Sequence, residues 1–132
     1  MTADDADFLA RFEAATIPNS AFRHRDHLRM AWLYVRRDGR DMGTARIHAG
    51  LRHFAAAHGV AHAYHETLTG FWARLMAHLV EAFPADERFE DAVARYAGFE
   101  DRRLAYRHWS SAVLDGPLAR HQWIEPDLRP LP

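Results

Sequence analysis

The 132-residue chain is predicted to be all-α, a compact bundle of about five to seven helices with an extended, Pro-rich C-terminal tail. Three observations predict this. Apolar residues recur at intervals of three and four along most of the chain, and few segments alternate with period two. Helix-stopping residues such as Gly39, Gly59 and Pro84 punctuate the apolar stripes at short intervals. No repeat or low-complexity linker divides the chain, so residues 1–132 read as a single helical domain.

The first helix is expected over Asp4–Ala15, with Phe8, Leu9 and Phe12 on its apolar face and Thr2 with Asp5 as a capping box. Ile17-Pro18-Asn19-Ser20 breaks it. A second helix starts at Phe22 or His24 and runs to Asp38, with Gly39 as its stop. Asp41 is the expected cap of a third helix that ends near His58 and carries Ile47, Leu51, Phe54 and Ala55. A fourth covers Ala63–Phe83, with Leu68, Phe71, Trp72, Leu75 and Leu79 as its stripe. Shorter helices follow near Glu87–Tyr96 and Glu100–His108, and Ser110 or Ser111 caps a further turn. The tail, Pro126-Asp127-Leu128-Arg129-Pro130-Leu131-Pro132, is extended because proline cannot continue a helix.

Composition excludes several classes of function. Hydrophobic residues make up 48% and charged residues 27%, the balance of a chain that buries a core rather than staying disordered. The net charge of -1 provides no basic surface for nucleic acid. Without cysteine there is no disulfide, thiolate nucleophile or cysteine-ligated metal. All basic residues other than histidine are Arg, so a Schiff-base lysine is absent; codon bias explains that pattern, together with the many Ala. The segment MTADDADFLARF is acidic and has no long apolar run, so neither a signal peptide nor a membrane span is expected and the cytoplasm is the default location.

The ten histidines are clustered, which codon bias explains less readily. With His24 as reference, Leu28, Ala31 and Val35 fall within about 40° of it around the second helix, and His27 lies about 60° to one side. Both imidazoles therefore belong on or beside the core-facing side. On the fourth helix His65 lies about 40° from the stripe centre, whereas Glu66 lies about 140° away. Imidazoles at i and i+3, joined by a third from a neighbouring helix, have the makings of a three-histidine metal site. His24, His27 and His65 are the expected ligands, and Fe, Zn, Cu and Ni suit imidazole alike. A metal-free acid–base pocket and purely structural histidines are the alternatives.

Other motifs are weaker. His62, His65 and Glu66 do not form a zinc-protease motif, because Thr69 stands where the second histidine belongs. His58 and His62 are expected to be exposed, and His48, His53 and His78 to lie on helix surfaces or stripe edges. Ser110 near His108 lacks a nucleophile elbow and reads as a cap. Asp127 is expected to pair with an arginine.

Several segments together resemble one family. Phe22-x-His24-x-x-His27-Leu28, Ala31-Trp32, Tyr64-His65-Glu66-Thr67, Ala119-Arg120, Trp123 and the Pro126–Pro132 tail are similar to those of short, functionally uncharacterised bacterial proteins. The resemblance spans nearly the whole chain. It implies a bacterial single-domain protein and no particular activity. It also implies that Thr67 and Arg120 belong with the histidines as substrate-binding positions, and it draws in Glu66 against the facing argument.

The function expected is a metal-dependent enzyme acting on a small molecule. Its metal would activate water or dioxygen, with Glu66 or Tyr64 as proton donor or acceptor. The alternatives are a metal-free acid–base enzyme using the same histidines and a non-catalytic module binding a ligand or a partner protein. A small-molecule substrate is the expected partner, with no nucleic acid and no membrane; a homodimer is compatible with the sequence.

Overall fold

The computed structural model describes residues 1–132, the side chain of Ala97 excepted. Seven α-helices and no strand occur among the described residues: α1 (Ala3–Glu13), α2 (His24–Asp38), α3 (Arg40–Ala57), α4 (Glu66–Ala82), α5 (Phe89–Arg95), α6 (Ser111–Leu114) and α7 (Pro117–His121). Four 3-10 turns link them, at Asn19–Ala21, Ala61–Ala63, Ala97–Glu100 and Leu104–Arg107. The all-α class is as the periodicity predicts. None of the helices is long and apolar enough to cross a membrane.

Helices α2, α3 and α4 pack on one another as the centre of the bundle, and α1 lies against α3. The capping box at the start of α1 is present: Thr2 Oγ1 accepts from Asp5 N–H at 3.0 Å while Asp5 accepts from Thr2 N–H at 3.3 Å. Arg29 of α2 reaches back to Asp5 at 2.8 Å and Asp4 at 3.2 Å, which ties α1 down. Phe12 stacks on Phe22 and Phe54 at 5.1 and 5.4 Å, so one aromatic ring joins α1, the first loop and α3. A second buried cluster, Phe71, Ala105, Trp109 and Leu114, lies under the C-terminal third of the chain.

Two helix starts differ from the sequence-based expectation. Helix α3 is preceded by Gly39 at φ +85° rather than capped by Asp41, which sits inside its first turn. Helix α4 begins at Glu66, three residues later than expected, because Ala61–Ala63 forms its own 3-10 turn and His65 is the cap. The expected helix over Glu100–His108 is two 3-10 turns instead, broken where Asp101 folds back onto Arg103 N–H. Ser110 does cap α6, accepting from Val113 N–H at 3.3 Å. Asp127 accepts from the Ser110 backbone at 2.8 Å and, among the described residues, pairs with no arginine.

Helices α2 and α3 approach closely where Gly43 faces the last turns of α2. A Cβ added at Gly43 would stand 2.7 Å from Val35 Cα and 2.9 Å from the Tyr34 carbonyl. Both are backbone atoms that cannot rotate aside. Gly43→Ala is therefore expected to destabilise the protein by about 1–3 kcal/mol through displacement of α3 from α2. Urea unfolding monitored by circular dichroism checks this, and an unchanged midpoint would show that the two helices separate freely.

Candidate functional site

A cavity of about 920 Å³ opens between the N-terminal end of α2, the middle of α3, the start of α4 and the Glu100–Arg102 segment. Its walls are mostly apolar, with Phe22, Met30, Ile47, Leu51, Phe54 and Trp72 contributing most of the bulk. The volume falls in the range of small-molecule sites, about 300–1,000 Å³. His24, His27, Tyr64 and His65 all line it.

The first turn of α2 positions two of these. Asp26 accepts from Arg23 N–H at 2.9 Å, closing the helix start so that His24 and His27 project on one side. His24 Nε2 donates to the Phe99 carbonyl at 3.0 Å. A carbonyl only accepts, so this bond sets the tautomer and leaves Nδ1 with the lone pair. The edge of the His24 ring meets Trp72, with centroids 4.6 Å apart.

His27 is held differently. Its ring lies 4.4 Å from that of Phe22 and makes no hydrogen bond among the described residues. Removal from water pushes its pKa down to about 4, and the neighbouring His24 and Arg102 act in the same direction against Asp26. At neutral pH His27 is an uncharged imidazole facing an apolar cavity. Burial likewise lowers the pKa of His24, with the Phe99 carbonyl opposing.

His65 occupies the cavity wall in another role. Its Nδ1 accepts from Leu68 N–H at 3.1 Å, and its Nε2 donates to the Leu114 carbonyl at 2.8 Å. The ring caps α4 and fastens it to α6. Both nitrogens are engaged, so neither offers a lone pair to a metal. Among the described residues, no group of three or more His, Asp or Glu side chains is placed to hold a metal ion. The three-histidine ligand set expected from helical phase therefore fails at His65. The phase argument assumed that the residue lay within the helix, whereas it precedes it.

Tyr64 and Glu66 stand together beside the cavity. The Tyr64 hydroxyl donates to Glu66 Oε1, His48 Nδ1 lies 2.9 Å from the same oxygen, and Arg52 donates to both carboxylate oxygens at 3.0 and 3.1 Å. Glu66 is held below the usual carboxylate range by its Tyr64 and His48 hydrogen bonds, which outweigh desolvation. Burial and the Glu66 carboxylate raise the Tyr64 pKa, so its proton stays on oxygen. Glu66 itself does not line the cavity, in agreement with its computed facing. It anchors Tyr64, which does.

Thr67 and Arg120 are not cavity residues. The Thr67 hydroxyl is buried, donating to the Gln122 carbonyl at 2.8 Å and accepting from Ile124 N–H at 3.3 Å. Arg120 donates to the carbonyls of His62 and Tyr64 at 2.9 and 3.3 Å. Both are fasteners that hold the C-terminal segment and the loop before α4, not substrate contacts. Their expected binding role is corrected accordingly.

Several cavity residues were not singled out in the sequence. Trp72 reads as a stripe residue of the fourth helix, and nothing in the sequence draws attention to Arg23 or Arg102. His48 was placed at a helix edge, yet its spacing from Arg52, i and i+4, puts both on one face and was a usable signal. His58 is half-buried against Phe54, with ring centroids 4.4 Å apart, rather than exposed. Comparison with known proteins found no matching family model, no similar curated protein and no similar solved structure.

Proposed function

We propose that the protein is a small-molecule enzyme whose cavity performs proton transfer, with His27 as the base and no metal required. One observation carries the reading: His27 is a neutral imidazole on the wall of a large apolar cavity, with no hydrogen-bond partner among the described residues. The neutral ring keeps a free lone pair in the cavity; burial weakens it as a base, so the proton moves to it as the substrate develops the negative charge that pairs with the imidazolium. Tyr64, its hydroxyl held by Glu66, lines the same cavity. In the same reading the protein acts on a soluble metabolite in a bacterial cytoplasm, without nucleic acid.

A metal-dependent version has one supporting observation. His24 donates one ring nitrogen to a backbone carbonyl, the arrangement that commonly orients a ligating histidine. His24 Nδ1 and His27 would be its two imidazole ligands, with Fe, Zn, Cu and Ni again undistinguished.

The test uses nitrobenzisoxazole, a neutral aromatic probe of buried bases. A base takes the ring C–H proton, those electrons form the nitrile, and the N–O bond breaks to release a coloured phenolate. The wild-type protein is expected to accelerate this reaction, and His27→Gln to lose about 100-fold of the rate. The rate should rise through an apparent pKa near that of His27, about 4, and then stay level. It should be unchanged by chelator. An unaltered rate in His27→Gln overturns the reading, and loss of rate with chelator replaces it by the metal-dependent one.

A further inference from the structure

We infer that the molecule bound in this cavity is a carboxylate with an apolar body, its anionic end recognised by Arg102 and Arg23 at the rim. The inference deepens the proposed function, since it takes the same cavity as the substrate site.

The charged groups around the rim are unevenly partnered. Arg23, Arg25, Glu100 and Arg102 line the opening. Arg25 is paired with Glu100, and its guanidinium lies 5.6 Å from the Phe89 ring centroid. Neither Arg23 nor Arg102 forms a salt bridge among the described residues. Asp26 and Asp101 are nearby but spend their carboxylates on the backbone N–H groups of Arg23 and Arg103. Three guanidiniums (Arg23, Arg25 and Arg102) and three carboxylates (Asp26, Glu100 and Asp101) thus balance around the opening, but the guanidiniums of Arg23 and Arg102 are left without a side-chain partner among the described residues. They are therefore the groups at this opening able to take an anion by charge-assisted hydrogen bonds. Low-dielectric walls behind them strengthen that attraction.

A second feature points the same way. Helix α2 has 15 residues, and its N-terminal residues Arg23, His24 and Arg25 line the cavity. The positive end of its dipole and the free N–H groups of its first turn favour negative charge there. His27, a partly buried imidazole without a protein partner, stands one turn further in as a hydrogen-bonding group for whatever enters. Much of the remaining wall is Met30, Ile47, Leu51, Phe54 and Trp72, and the Tyr64 hydroxyl and His65 ring there are already bonded to Glu66, Leu68 and Leu114. A dianion or a sugar would leave polar groups unpaired against this surface, at a cost of about 1–3 kcal/mol each. A monocarboxylate with an aliphatic or aromatic tail matches both halves.

The test compares phenylbutyrate with its neutral amide, phenylbutyramide, by calorimetry and by NMR of the full-length protein. The carboxylate is expected to bind about fivefold or more tightly than the amide, to weaken as salt rises, and to perturb the Trp72 indole and His27 ring resonances. Arg102→Gln and Arg23→Gln should each reduce carboxylate affinity while leaving the amide unaffected. Both arginines are exposed, so folding is expected to be intact, which circular dichroism verifies. Equal binding of acid and amide, or carboxylate binding indifferent to both arginines, overturns the inference. Arginine-dependent binding in a protein whose His27→Gln variant retains full nitrobenzisoxazole turnover would uphold it while removing the proton-transfer reading.

Discussion

Acidification from about pH 7 to about pH 4.5 is expected to weaken the wild-type protein more than a His27→Gln variant, by up to about 3 kcal/mol. The folded-state pKa of His27 is about 4, against an ordinary value of 6.5. Below 6.5 the unfolded chain takes up a proton at this residue that the folded protein refuses. Protons then favour unfolding, so stability is fully present above pH 6.5 and is lost as pH falls toward 4. Each pKa unit corresponds to about 1.4 kcal/mol, and partial access of cavity water to the ring makes the full span an upper bound. His24 and His65 are depressed in the same direction by burial and add to the wild-type slope. They remain in the variant, as do the carboxylates whose pKa values lie below their ordinary range, so the difference between the two proteins isolates His27. Urea unfolding at both pH values measures it. Parallel stability losses would mean that His27 is solvated and charged in the folded protein, which would also undermine its role as the cavity base.

Replacing Trp109 by Ala is expected to cost about 3–5 kcal/mol. Trp109 is fully buried, meets Phe71 and Trp123 edge to face at 5.4 and 5.6 Å, and donates from Nε1 to the Ile124 carbonyl at 2.8 Å. Truncation removes the ring from both partners and leaves a carbonyl without its donor. The damage should not stay local. Trp109 holds the segment after α7, Thr67 grips the same segment, and Arg120 of α7 fixes the carbonyls of His62 and Tyr64. The variant is therefore expected to loosen the loop that carries Tyr64 on the cavity wall. Denaturant unfolding gives the stability change, and Trp109→Phe, which retains an aromatic ring, should lose distinctly less. A loss below about 1 kcal/mol in Trp109→Ala would mean that the C-terminal cluster unfolds apart from the main core.

These two residues illustrate what can and cannot be read along a chain. The helices α1, α2 and α4 are legible because their apolar stripes are long and their breaks are marked by Pro18, Gly39 and Pro84. The inward placement of His24 and His27 is legible for the same reason, since helical phase is a local property. Both do line the cavity. The facing of Glu66, away from the cavity, follows from the same geometry.

His65 marks where local reasoning stops. Whether a histidine before a helix is a ligand or a cap depends on what its second nitrogen meets, and here that is Leu114, nearly fifty residues later. Thr67 and Arg120 are similar: each lies near the site in sequence or by resemblance, and each is committed to a backbone carbonyl from a distant segment. Arg102 and Arg23 become rim residues only because the Glu100–Arg102 segment folds over the start of α2. The helical class, the stripes and the inward pair His24 and His27 follow from short-range periodicity, which any stretch of the chain carries within itself. Which imidazole keeps an unbonded ring in the cavity depends on the fold, because hydrogen-bond partners are allotted by contacts between segments far apart in the chain.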